Sequence, residues 1–186
     1  MQAVHTLFVT GYRSFELGVF QETDPKIKVI KKVIKTTLEQ YLEEGLQWVI
    51  IGGNLGVEIW TAQLIDELKE EYPELKFSII YPYLEFGDNW NEANQAMLQK
   101  IVEKADYVDA VSHLSYKDPS QLKNHTHFLL THVDGAIVVY DDEFSGKSTY
   151  FVHDAREYAE KHNFLLHLIT MDDLQNAVFD AKCKIY

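Results

Sequence analysis

The sequence has few of the residues that staple, kink or cross-link a protein. Its 186 residues include one cysteine, four prolines and nine glycines, and no segment rich in Pro or Gly reads as a linker. The single cysteine, Cys183, excludes an internal disulfide, and no Cys/His cluster with metal-ligand spacing occurs. We therefore predict a single domain over residues 1–186, a reducing cytoplasmic location and no bound metal.

Basic charge and long apolar runs are also scarce. The chain has 17 Lys and Arg against 29 Asp and Glu, which gives a net charge of −12. Because a surface of that sign repels phosphate backbones, extended nucleic-acid binding is disfavoured. No apolar run approaches the roughly 18 residues that a membrane-spanning helix needs, and the N-terminus lacks a secretory signal. We expect a small molecule as partner, no membrane contact, and a homodimer as a candidate assembly.

Short apolar runs alternate with helical patterns along the whole chain. The runs are rich in Val, Ile, Phe and Tyr, which is typical of strands buried on both faces of a sheet. They predict strands at 4–10, 48–51, 77–81, 107–112, 136–140 and 165–170. Spacings of three and four predict helices at 25–44, 57–71, 91–105, 122–133, 148–162 and 172–181. This alternation predicts an α/β fold: a three-layer, Rossmann-like open sheet, mostly parallel, with helices on both faces.

Glycines and polar residues follow three of the predicted strands. Because ligands of open α/β sheets bind outside the carboxyl ends of the strands, these positions are candidate ligand contacts. They are Gly11, Tyr12 and Arg13 after the first strand, Gly53, Asn54 and Gly56 after the second, and Gly146, Ser148 and Thr149 after the fifth. A turn that receives a phosphate needs outward N–H groups and no Cβ in the way, and a helix N-terminus adds positive charge. The alternative is that these glycines only turn the chain.

Four charged or polar side chains complete the candidate site. The planar fork of Arg13 suits a phosphate, and Lys123 and Asn124 near the start of a short helix are further phosphate candidates. Glu58, in the first turn of the second helix, is the candidate to hold a ribose hydroxyl or to act as a general base. The alternatives are a surface arginine, a solvated helix end, and a glutamate that only favours the helix dipole.

Two common nucleotide motifs are absent. A Walker A sequence needs glycine five residues before Gly146, where the chain has Asp141, so ATP hydrolysis of the P-loop kind is not expected. The GxGxxG pattern of dinucleotide dehydrogenases does not occur either. Gly53 and Gly56 supply only its second half, and they follow the second strand instead of the first.

With these residues assembled, the chain resembles the YpsA family of the SLOG superfamily along nearly its whole length. The segments that carry the resemblance are Thr10-Gly11-Tyr12, Phe15-Glu16-Leu17-Gly18, Gly53-Asn54-Leu55-Gly56-Val57-Glu58, Lys123-Asn124, Asp134-Gly135 and Tyr140-Asp141. The resemblance implies a parallel Rossmann-like sheet. It also implies a nucleotide or nucleotide derivative, such as ADP-ribose or an NAD-like molecule, facing residues 53–58 and 146–149.

Three functions stay open at this point. The first is a nucleotide-derivative-binding sensor or regulator. The second is a nucleotide N-glycosidase or phosphoribohydrolase with Glu58 as base, although the related LOG enzymes carry PGGxGTxxE, and this chain lacks the Pro and the Thr and places its Glu earlier. The third is a DprA-like module for single-stranded DNA, which the acidic net charge opposes.

Overall fold

A computed structural model describes residues 3–183 as six strands and six helices in alternation. The strands are β1 (Thr6–Gly11), β2 (Trp48–Ile51), β3 (Lys76–Tyr81), β4 (Tyr107–Ala110), β5 (Gly135–Val139) and β6 (Leu165–Ile169). The helices are α1 (Pro25–Glu43), α2 (Val57–Leu68), α3 (Glu92–Lys104), α4 (Ser120–His132), α5 (Thr149–Lys161) and α6 (Met171–Cys183). A short 3₁₀ helix, Ser14–Leu17, follows β1. The side chain of Cys183 lies outside the described residues.

The six strands form one sheet in the order β4-β3-β2-β1-β5-β6, and every described pair is parallel. Phe8 in the central strand pairs with Ile50 on one side and with Ala136 on the other. The chain winds outward from β1 to β4, then crosses back to β5 and β6. The sheet therefore has its topological switch point between β1 and β5, where open α/β sheets bind ligands.

Helices cover both faces of the sheet, as the sequence predicted. Right-handed crossovers place α1, α2 and α3 on one face, and α6 packs beside α1 on that face. The return crossover places α4 and α5 together on the other face. The fold is the predicted three-layer, Rossmann-like α/β arrangement.

Sequence patterns account for most element boundaries. Asp24 accepts a hydrogen bond from the Lys26 N–H at 2.9 Å, and Pro25 fills the first helical position, so α1 begins as its sequence predicts. The helix α4 begins two residues earlier than predicted, at Ser120. Pro119 suits the start of a helix, and the buried Gln121 side chain accepts the Lys117 N–H at 2.6 Å.

The core is apolar on both sides of the sheet. Every residue of β5 is buried, and α2 is buried on most of its surface, including Trp60. Phe77 and Trp60 are both core residues. The sheet edge at β4 is different, because Tyr107 and Val108 remain exposed there.

Candidate functional site

The ends of β1 and β5 meet closely at the switch point. A Cβ on Gly11 would lie 2.8 Å from both the Cβ and the carbonyl oxygen of Val139, so glycine is required for this approach. The Gly11 carbonyl accepts hydrogen bonds from Ser148 Oγ at 2.9 Å and from Arg13 NH1 at 2.9 Å. Three predicted site residues are therefore in contact, and Ser148 is 137 residues from Gly11 in the chain.

Tyr12 connects the turns that follow β1 and β5 through hydrogen bonds of its hydroxyl group. Its side chain is 3% exposed, its hydroxyl donates to the Phe144 carbonyl at 2.7 Å, and the same oxygen accepts the Asp141 N–H at 2.9 Å. Burial is the main reason that the pKa of Tyr12 is raised, so the hydroxyl stays protonated. The ring packs beside Tyr140. In the described structure Tyr12 acts as a brace between turns.

The turn at residues 53–56 leads directly into α2. Gly53 and Gly56 have φ values of +93° and +100°, a region that residues with a side chain rarely adopt. A Cβ on Gly56 would lie 2.6 Å from the Ser14 nitrogen, and one on Gly53 would overlap the ring of Tyr81. Within residues 3–183, no hydrogen-bond acceptor is found for the four backbone N–H groups of this turn. The turn thus presents unpaired donors at a helix N-terminus, as an anion site requires.

Glu58 accepts hydrogen bonds from residues in and next to this turn. Its side chain is 1% exposed, and its carboxylate accepts the Gly52 N–H, the Asn54 side-chain amide at 2.7 Å and the Thr10 hydroxyl at 3.2 Å. Arg13 NH1 lies 3.8 Å from the same carboxylate. Glu58 therefore fixes the backbone of the turn and is the counter-charge to Arg13. Thr10 belongs to this group, and the sequence argument did not select it.

His125 is a second site residue that the sequence argument missed. Its Nε2 lies 2.6 Å from the Ile80 carbonyl oxygen, and its Cε1 would be 3.2 Å from a Cβ placed on Gly52. Burial lowers the pKa of His125, although the Ile80 carbonyl and the charge of Glu58 oppose that shift. The imidazole is therefore neutral near pH 7. No local pattern in the sequence tied His125 to the turn.

Lys123 and Asn124 belong to the same helix as His125. Both are exposed in α4, next to His125 in sequence. In the described part of the chain, neither forms a hydrogen bond or an ion pair with the glycine turns. The fold brings their helix to the site but leaves these two side chains at its outer border.

Glu16, which the sequence argument did not select as a site residue, bridges the turns that follow β1 and β5. One carboxylate oxygen accepts the Arg13 N–H at 2.8 Å, and the other accepts the Lys147 N–H at 2.9 Å. A Cβ on Gly146 would overlap this carboxylate, so a larger residue there would displace the Glu16 side chain. The Thr149 hydroxyl lies 3.2 Å from the Gly146 nitrogen, whose N–H it accepts, and 3.0 Å from the Tyr140 hydroxyl. Contact of Gly146, Ser148 and Thr149 with a ligand stays a prediction.

A cavity of about 760 Å³ lies further along the same edge of the sheet. It is bounded by Tyr81 at the end of β3, by Val108 and Ala110 of β4, by α3, and by the loop at 84–88. Its volume is within the usual range for small-molecule sites, about 300–1,000 Å³. Because Tyr81 also packs against Gly53, the cavity adjoins the turn before α2.

One group of side chains in the described residues offers metal ligands. His153, Asp154 and Glu157 are exposed on α5, with ligand atoms within 4.8 Å of one another. Exposed acidic groups of this kind are common without an ion, and nothing connects this one to the glycine turns. Among the helices of residues 3–183, none combines the length and the apolar character needed to cross a bilayer.

A parallel six-stranded sheet between two helical layers, with glycine turns at its carboxyl edge, defines a Rossmann-like α/β protein. The model of the YpsA family, a SLOG family, matches residues 7–174. A UPF0398 protein of Enterococcus faecalis is 53% identical over 180 residues, covering 97% of this chain and 100% of the relative. A UPF0398 protein of Lacticaseibacillus casei is 46% identical, covering 91% of this chain and 88% of the relative. The chain belongs to the YpsA family, as its sequence indicated.

The fold resembles that of a solved structure. It is DNA processing protein A from Helicobacter pylori, studied for its single-stranded DNA binding mode. Its TM-score to this chain is 0.51 at 14% identity, with 97% of this chain and 81% of the other covered. At that identity the likeness establishes the shared fold alone.

Proposed function

We propose that this protein is a cytoplasmic sensor or regulator that binds a nucleotide or nucleotide derivative of the ADP-ribose or NAD kind. The observation that carries the proposal is the turn at 53–56, whose four backbone N–H groups at the N-terminus of α2 have no acceptor among residues 3–183. Phosphate oxygens accept hydrogen bonds from such groups, and the positive end of the helix dipole favours their charge. Arg13 lies beside the same turn, since it approaches Glu58.

Charge distribution supports a small anionic ligand over a nucleic acid. The chain carries −12 overall, yet Arg13 stands at the turn and Lys147 is exposed beside it. Two cations and the N–H groups of the turn are enough for one nucleotide, whereas a long strand would meet repulsion along its length.

The test is thermal unfolding with AMP, ADP, ATP, ADP-ribose, NAD, NADP and a short single-stranded DNA. A ligand at about 100 times its Kd stabilises the folded state by about 2.7 kcal/mol, which raises Tm by roughly 5–11 °C for a chain of this size. Arg13→Gln should remove most of the shift. Arg156→Gln is the matched control, because Arg156 is exposed on α5 and pairs with Asp142 at 2.9 Å.

The other outcomes would refute the proposal or favour one of its alternatives. If none of the nucleotides raises Tm, the proposal is refuted. A shift with DNA alone, weakening steeply with salt, would favour the DNA-binding hypothesis that the fold of DNA processing protein A suggests. Release of free base from a bound nucleotide, followed by NMR, would instead favour the N-glycosidase hypothesis, in which Glu58 is the candidate base.

A further inference from the structure

The cavity beside Tyr81 has an aromatic wall. The rings of Tyr81 and Phe86 stack with centroids 5.5 Å apart and an interplanar angle of 28°. Trp90 meets Phe86 edge-on, also at 5.5 Å. Leu98 of α3 and Val108 of β4 line the cavity as well. Flat aromatic and aliphatic surfaces of this kind suit the face of a nucleobase.

The charged residues of the cavity are all acidic. Glu85, Asp88, Glu92 and Asp109 line it, and among residues 3–183 no Lys, Arg or His does. A phosphate would be repelled here, while the N–H and O–H donors of a base or a ribose find carboxylate acceptors. The basic residues of this edge, Arg13 and Lys147, lie instead near β1 and β5. The two ends of this edge therefore differ: cations stand among the carboxylates at the switch point, whereas the charged groups that line the cavity are carboxylates.

Tyr81 connects these two regions. Its ring edge lies against Gly53 on one side, and the same side chain lines the cavity on the other. Burial and the charge of Asp88 raise the pKa of Tyr81 to about 12, so its hydroxyl is uncharged at every physiological pH. Two strand spacings, about 10 Å, separate the end of β1 from the end of β3. A nucleoside diphosphate is long enough to reach from the turn into the cavity.

From this arrangement we propose that the cavity is the nucleoside subsite of the ligand. The base stacks along the Tyr81–Phe86 wall, the ribose donates to the acidic rim, and the phosphates point back to the turn at 53–56. This inference rests on the proposed function and adds to it an orientation and a class of ligand: one with an uncharged or donor-rich nucleoside end. Inorganic phosphates should bind at the turn only.

The test blocks the cavity without touching the turn. Ala96 is an exposed residue of α3 that lines the cavity, and Ala93 is an exposed residue of α3 that does not. Ala96→Phe should weaken binding of ADP-ribose at least tenfold in calorimetry and leave binding of pyrophosphate unchanged. Ala93→Phe, the matched control, should leave both affinities as in the parent protein.

Amide NMR shifts locate each half of the ligand directly. Adenosine should perturb Phe86, Asp88 and Val108, whereas pyrophosphate should perturb the turn at 53–56. If ADP-ribose binds Ala96→Phe as tightly as the parent and Arg13→Gln still abolishes binding, the subsite is refuted and the proposed function stands. If the parent binds none of these nucleotides, the proposed function fails and this inference fails with it.

Discussion

Replacing Glu58 by glutamine tests whether this buried carboxylate organises the candidate site. Glutamine has nearly the same shape, so the change is one of charge and hydrogen bonding. The Gly52 N–H is fixed in the backbone and requires an acceptor at Oε1. The new amide nitrogen must then take the place of Oε2. There it faces the Asn54 amide and the Thr10 hydroxyl, both of which donate hydrogen bonds to Glu58 in the parent protein.

The magnitude follows from what is lost at Oε2. A hydrogen bond to a charged group contributes about 1.5–3 kcal/mol. The Asn54 amide can turn over and the Thr10 hydroxyl can rotate, which recovers part of two such bonds. Arg13 is 18% exposed at its side chain, so water compensates some of the lost ion pair. We expect a loss of about 3 kcal/mol in the free energy of unfolding, or a fall in Tm of roughly 6–12 °C.

Differential scanning calorimetry at pH 7 measures this change. Glu67→Gln is the matched control, because Glu67 is exposed on the same helix and its loss should cost no more than about 0.5 kcal/mol. A Tm for Glu58→Gln within about 2 °C of the parent would refute the view that Glu58 braces the turn.

Three further changes test other parts of the site. Gly53→Ala, at φ +93° against the Tyr81 ring, should lower stability by about 3 kcal/mol in urea unfolding, whereas Gly18→Ala, at φ +65° with open space around it, should cost only about 1 kcal/mol. Because burial lowers the pKa of His125, the unfolded chain takes up that proton first, so stability should fall as pH drops below about 6.5. His125→Gln should flatten that fall between pH 6.5 and 5, and an unchanged slope, equal to that of His127→Gln, would contradict the argument. Glu16→Ala should speed hydrogen exchange of the turn after β5 by roughly tenfold, and unchanged protection would show that the bridge is unimportant.

Local sequence patterns were sufficient for much of the fold. The apolar run at 48–51 is β2 as observed, and the helix at 57 begins where its pattern begins. A glycine directly after a strand indicates that the backbone passes close to another group, even when that group is unknown. Gly11, Gly53 and Gly56 were therefore identified as special positions. Period and residue type carry this information because they act within a few residues of the chain.

The order of the strands and the composition of the site depended on the tertiary structure. Glu16 and Lys147 are 131 residues apart, and no local pattern could pair them. The position of Glu58 at the start of a helix fits an exposed residue equally well, and only the tertiary structure shows that its carboxylate is buried and hydrogen-bonded. The cavity beside Tyr81 required α3, β3 and β4 to be placed together. The sequence by itself determined the elements and their glycine turns, and only the packing of distant segments decided which groups are paired, which are buried and where space remains.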